Sequence, residues 1–264
     1  MRHHIVLMGA SNLAMAFPTV VADLVERSAG EPLVIYAARA CGRSYGTDAG
    51  IAGFKFPGLT ECGLIERLET ELERGPVASC AALLTDVGND IPYGHPPERI
   101  AGWVDGILER LEPLSVRFAV TSLPVESVCR ISPRRFRVLR PVFFPFHPVT
   151  HETLNRHLRE VQAALLEISE KRALAVLETR PEWYGFDHFH LRRRQRGSTF
   201  ARWLDAVLPW ARPDPPAKVG PLLATSRWGL RYRQPATYSW LGIRRSSPQG
   251  EGLEIAPNVR LLCF

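Results

Sequence analysis

The chain has 264 residues, 45% of them hydrophobic and 23% charged, with a formal net charge of +6. That balance fits an ordinary folded protein with room for a sizeable core, and it excludes disordered or collagen-like character. The apolar run before Gly9 is shorter than a signal-peptide core, and no run approaches the roughly 18 residues of a membrane span, so a cytoplasmic location is expected.

Short apolar runs alternate with longer stretches of helical period. The first is IVLM (5–8), which ends abruptly in Gly9-Ala10-Ser11-Asn12. FPTVVADLVERSA (17–29) then reads as a helix with Pro18 in its first turn, where a missing N–H is harmless. LVIYAA (33–38) is a second strand. In TECGLIERLETELERG (60–75), Leu64, Leu68 and Leu72 mark one face of a helix that stops at Gly75. CAALLT (80–85), the helix PPERIAGWVDGILERL (96–111) and the strand VRFAVTS (116–122) follow. HETLNRHLREVQAALLEISEKR (151–172), ALAVLE (173–178) and QRGSTFARWLDAVL (195–208) complete the alternation.

Five strands and their crossover helices predict a three-layer αβα sandwich around a parallel sheet, with right-handed connections. From about Arg212 the texture changes to ARPDPPAKVGP and then to short segments such as RWGLRYR, ATYSWLGIRR and VRLLCF. We therefore expect a main domain at 1–212, and at 213–264 a proline-rich link and an extension of short strands and loops packed on it. No internal repeat interrupts the pattern.

Five cysteines (Cys41, Cys62, Cys80, Cys129, Cys263) are scattered without a CxxC pair, which fits reduced thiols better than a disulfide framework or a zinc site. Arginine clusters at RISPRRFRVLR (130–140), RRRQR (192–196) and in the tail suit either an anionic partner or, more plainly, a solvated basic face. No nucleic-acid-binding motif accompanies them, so no nucleic-acid partner is expected. His147, His151 and His157 suggest a metal at first sight, but Pro148 breaks the helical spacing and no carboxylate follows, so no metal is expected.

In an open parallel sheet the ligand site lies beyond the carboxyl ends of the strands. Those ends carry Gly9-Ala10-Ser11-Asn12, then Arg39 to Gly46, then Asp86-Val87-Gly88-Asn89-Asp90, and finally Phe186-Asp187-His188-Phe189-His190-Leu191. A serine, a glycine-rich turn, an asparagine and an aspartate with a histidine are the parts of an acyl-transfer site. The hydroxyl needs a histidine to take its proton, the histidine needs a carboxylate to fix its tautomer, and the tetrahedral intermediate needs N–H donors. GASNLA lacks the second and third glycines of a dinucleotide loop, and Leu13 stands where a GxSxG turn would end.

Over residues 1 to 210 the chain resembles the SGNH hydrolases, or GDSL-type esterases and lipases. Their GDS turn matches Gly9-Ala10-Ser11, their GxND block matches Gly88-Asn89-Asp90 in compressed form, and their DxxH block matches Asp187 to His190. Ala10 stands in place of the aspartate of GDS, and Ala40 in place of an asparagine that usually precedes the second-block glycine. The resemblance implies a flavodoxin-like five-stranded parallel sheet, with Ser11 as nucleophile, His190 as base and Asp187 as its orienting carboxylate. It further implies an oxyanion hole from the N–H groups of Ser11 and Gly42 with the Asn89 amide, Gly46 being the alternative glycine. No cofactor is implied. The expected activity is serine esterase chemistry on a small-molecule, lipid or carbohydrate ester. Two alternatives stay open: an O-acyltransferase on the same triad, and an inactive anion-binding module on the same fold.

Each residue also has a plainer reading. Ser11 could cap a helix, Asn89 and Asp90 could shape a turn, and His188 competes with His190, although the spacing from Asp187 favours His190. Arg43, Tyr45, Phe144, Phe146 and Trp183 would line a pocket by position, or else sit in the core.

Overall fold

The central sheet carries every one of the five expected strands: β1 (Arg2–Gly9), β2 (Leu33–Arg39), β4 (Val77–Leu84), β5 (Arg117–Thr121) and β6 (Ala175–Leu177). A two-residue strand, β3 (Phe54–Lys55), belongs elsewhere. The computed structural model describes residues 1–143, 149–172, 174–210, 229–230, 233–246 and 252–264. Phe144, Phe146, His147 and the proline-rich link ARPDPPAKVGP (211–221) lie outside the described residues.

The order β6-β5-β4-β1-β2 continues through β10 (Val259–Cys263) to β9 (Leu253–Ala256), making seven strands rather than five. β10 joins parallel to β2, with Leu261 opposite Ile35, and only β9 runs antiparallel. The C-terminal segment therefore contributes hydrogen-bonded strands to the central sheet as well as surface structure.

The strands read as continuous apolar runs because both faces are covered. Val6, Met8, Val34 and Tyr36 face one core, shared with α2 (Leu64–Glu73), α3 (Pro97–Leu111) and α6 (His151–Lys171). Ile5, Leu7, Leu33 and Ile35 face the other, built with α1 (Ser11–Ser28) and α7 (Arg196–Val207). Two short helices lie between β5 and α6: α4 (Val125–Cys129) and α5 (Pro133–Phe143). The second covers most of the basic stretch 130–140: buried Phe136 and Leu139 anchor it, and Arg134, Arg135, Arg137 and Arg140 are exposed beside Val138.

The helix expected from Phe17 begins at Ser11, which makes Pro18 an interior residue. The reason is a cap supplied by another strand. The Asp86 carboxylate, just past β4, accepts the N–H groups of Ala10 (2.9 Å) and Leu13 (3.3 Å), satisfying donors that the first turn cannot satisfy itself. Pro18 forfeits only the bond its N–H would have given Ala14.

The chain steps from β1 outward to β2, then returns to β4 on the opposite side of β1. The carboxyl ends of β1 and β4 are thus the switch point where an open sheet offers a crevice. Gly9 lets them meet, since a Cβ there would lie 2.1 Å from Thr85 Oγ1. A second, three-stranded antiparallel sheet joins β3 to β7 (Thr237–Trp240) and β8 (Ile243–Ser246). Among the described residues no helix is long and apolar enough to cross a membrane.

Leu261 is fully buried between β2 and the helical layer. Leu261→Ala is expected to cost about 2–5 kcal/mol in urea unfolding, within one cooperative transition. A separate transition for the variant would mean that the C-terminal strands unfold on their own.

Candidate active site

The end of β1, the segment after β4 and the loop after β6 converge on one cavity of about 1000 Å³. Ser11 opens α1 there, so its N–H has no intrahelical acceptor. Its Oγ lies 2.9 Å from His190 Nε2, and His190 Nδ1 lies 3.0 Å from Asp187 Oδ2. The other Asp187 oxygen accepts the backbone N–H groups of Phe189 and His190, both at 2.9 Å. Burial works to raise the Asp187 carboxyl, but the bonds from the His190 ring and backbone outweigh it and hold it below the ordinary value. The carboxylate is thus kept ionised beneath the imidazole.

His188 does not compete. Its backbone is left-handed (φ 65°), which turns the ring to Ser127 Oγ at 3.2 Å and toward Arg135. Burial and the Arg135 charge lower its pKa.

Gly42 and Asn89 both line the cavity, whereas Gly46 packs against Trp103 outside it. Gly42 has φ +73°, and a Cβ there would come within 2.7 Å of Ile51, so the position demands glycine on two counts. The Asn89 amide donates to the Arg43 carbonyl at 2.8 Å, and the Tyr93 hydroxyl donates to the Gly42 carbonyl at 2.5 Å. Burial pushes the Tyr93 hydroxyl up to about 12, so it stays a donor at neutral pH. Behind this turn Asp90 is fully buried, accepting the Ser44 hydroxyl and the Tyr45 N–H.

Three residues in this arrangement were not singled out from sequence: Asn12, Asp86 and Tyr93. Asn12 donates to Asp86 Oδ1 at 2.7 Å and to the Phe189 carbonyl at 3.2 Å, while its oxygen accepts the Leu191 N–H at 2.8 Å. It ties the serine turn directly to the histidine loop. An Asn beside the serine and an Asp directly after β4 were the available signals. Arg43, Tyr45 and Trp183 are core residues, with Tyr184 and Trp203 on the cavity wall instead. Away from the mouth the wall is apolar, formed by Leu123, Val128, Leu154 and Leu158.

His151 contacts the Ile131 carbonyl at 2.7 Å, and the described residues contain no group of three metal-ligating side chains. What the arrangement offers chemically is a hydroxyl, a base and an ionised carboxylate in line, beside a glycine turn and an amide.

No family model and no curated protein matches the chain. Several solved structures are similar. The psychrotrophic esterase EstA from Pseudoalteromonas sp. shares 14% identity, covering 76% of this chain and 98% of its own, with a TM-score of 0.44. TesA shares 13%, covering 78% and 99%, at 0.45. AlinE4, a SGNH-hydrolase family esterase, shares 17%, covering 78% and 93%, at 0.39. Likeness at this level says nothing of activity.

Asp90 gives the site a pH signature. Burial raises its pKa from 3.8 to about 6, against the bonds from Ser44 and Tyr45. Its contribution to stability is therefore full below the unfolded value and is lost as pH rises through about 6. Asp90→Asn removes that titration, so the variant's Tm relative to the parent should become more favourable between pH 4 and pH 7. A constant difference in thermal melts across that window would contradict the raised pKa.

Proposed function

We propose that the protein is a serine esterase working through an acyl-serine intermediate. The observation that carries this reading is the unbroken relay from Asp187 through His190 to Ser11, with both contacts at hydrogen-bond length.

In the proposed reaction Ser11 Oγ attacks the ester carbonyl as its proton passes to His190 Nε2. Asp187 holds the Nδ1–H tautomer and steadies the imidazolium that forms. The carbonyl oxygen, now negative, is met by the Ser11 N–H at the positive end of α1, the Gly42 N–H and the Asn89 amide. Collapse of the intermediate expels the alcohol, which takes the proton from His190. Water, deprotonated by the same ring, then hydrolyses the acyl-serine. The apolar wall is suited to the acyl portion of the substrate, and the exposed rim to the alcohol.

A fluorophosphonate probe followed by peptide mapping should label Ser11, and Ser11→Ala should lose both the label and hydrolysis of p-nitrophenyl acetate. Asn89→Ala should still be labelled while kcat falls about 100- to 1,000-fold, the loss typical of one oxyanion donor. Undiminished hydrolysis by Ser11→Ala, or a label elsewhere, would remove Ser11 from the chemistry. Turnover that awaits an added alcohol acceptor would assign acyl transfer in place of hydrolysis.

A further inference from the structure

The small sheet of β3, β7 and β8 reaches the cavity through β3, whose Phe54 and Lys55 line it, and is built unlike the rest of the surface. Its hairpin turns at Leu241-Gly242, both left-handed (φ 48° and 82°). A two-residue turn of this kind favours Asn-Gly, because a branched side chain is strained at positive φ. Here the first position holds a leucine that is 68% exposed, although its side chain lies over Gly53. Strain of this sort points outward, toward something the side chain meets.

Leu241 is not alone. Trp240 is 43% exposed and Ile243 59%, on either side of the same turn, and Ile51, 51% exposed, lies in the neighbouring loop with its side chain against Gly42. The Leu241 N–H donates to the Gly53 carbonyl at 2.9 Å, which pins the tip to the turn that carries Ile51. Beneath it, Phe54 packs against Phe56, Tyr238 and Trp240 with ring centroids 6.0–6.2 Å apart. The apolar tip is therefore presented on a braced support.

Charge is arranged behind it. Lys55, Arg244 and Arg245 are all exposed on the strands that lead away from the tip. Within segments 48–56 and 233–246 the cations also include Arg233, and the one carboxylate is Asp48. An apolar tip with tryptophan beside it and cations set back from it matches the layering of a bilayer surface, acyl boundary first and anionic headgroups next. A second protein strand is poorly served by the same edge, because Arg244 and Arg245 on β8 oppose strand addition. Ile51, Gly53, Phe54 and Lys55 also line the cavity that holds Ser11, so a surface reached by the tip would face the cavity mouth.

We propose that the hairpin tip, with Ile51, docks the protein onto anionic lipid surfaces and sets the cavity mouth against them. The docking does not depend on the acyl-serine reading, and it is measured without turnover.

The test uses the full chain with sedimenting vesicles of phosphatidylcholine, with and without phosphatidylglycerol. Binding is expected to the anionic vesicles and to weaken as salt is raised. Arg244→Glu with Arg245→Glu, and separately Leu241→Ser with Ile243→Ser, should each lower vesicle partitioning by about ten-fold or more. Hydrolysis of a water-soluble ester, and the far-UV spectrum, should be unchanged in both. Binding indifferent to lipid charge, or to both pairs of substitutions, would overturn the proposal. Self-association in sedimentation velocity that disappears in Leu241→Ser with Ile243→Ser would overturn it in favour of a second copy of the chain.

Discussion

The nucleophile and its histidine are positioned by one carboxylate. Asp86 follows the last rung of the β1–β4 ladder, where the Thr85 N–H donates to the Met8 carbonyl, and the strands diverge just beyond it. The carboxylate takes over from that ladder, accepting the N–H groups of Ala10 and Leu13, the Asn12 amide and the Thr85 hydroxyl. Hydrogen bonds to a charged group contribute roughly 1.5–3 kcal/mol each, more than neutral ones. They fix the first turn of α1, and with it the direction in which the Ser11 hydroxyl and N–H point. Through Asn12 the same anchor reaches Phe189 and Leu191, the two residues flanking His190. The distance between hydroxyl and imidazole is therefore set by side chains adjacent to both, while the reacting groups themselves remain available.

The opposite wall is held by a separate polar network. Asp90, Ser44, Tyr45, Tyr93 and Asn89 bond one another or the 40–46 backbone, and most of them are buried. Burying a carboxylate in such a place is unfavourable, which is what raises its pKa. What that cost secures is the orientation of the Gly42 and Arg43 peptides, whose carbonyls are both engaged. One network thus positions the nucleophile side and another the glycine side, so damage to either should be felt on its own wall first.

Sequence resolved the parts that depend on local pattern. Strands buried on both faces announce themselves as unbroken apolar runs, and Leu64, Leu68, Ile100 and Val104 repeat at helical spacing. Ser11, Asn89, Asp187 and His190 could be named because they fall in order beyond the ends of β1, β4 and β6 and match the blocks of the family the chain resembles, and the Asp187 spacing chose His190 over His188. Other features depend on distant partners and were not legible. The start of α1 was misplaced because its cap, Asp86, lies far along the chain and no capping side chain precedes Ser11. The 130–140 stretch reads as a charge cluster because only Ile131, Phe136 and Leu139 turn inward. VRLLCF was recognisable as a strand, but nothing local reveals that its neighbour is β2.

That last strand changes what the C-terminal segment does. The Phe264 N–H donates to the Ala37 carbonyl at 2.9 Å, and the Phe264 carbonyl accepts from the Arg43 guanidinium, which also donates to Pro57 at 3.0 Å. Arg43 is fully buried and sits one residue beyond Gly42, so the cation fastens the glycine turn to the end of β10. Arg39, at the end of β2, likewise donates to the Leu230 carbonyl at 2.6 Å. The same segment supplies β7 and β8, which form a sheet with β3, the strand whose Phe54 and Lys55 line the cavity. The five-stranded core therefore places the serine and the histidine, while the chain beyond it braces the turn across from them. Stability of the sheet edge and geometry of the site are coupled through Arg43, because loosening β10 removes an acceptor from a buried guanidinium that has no water to replace it.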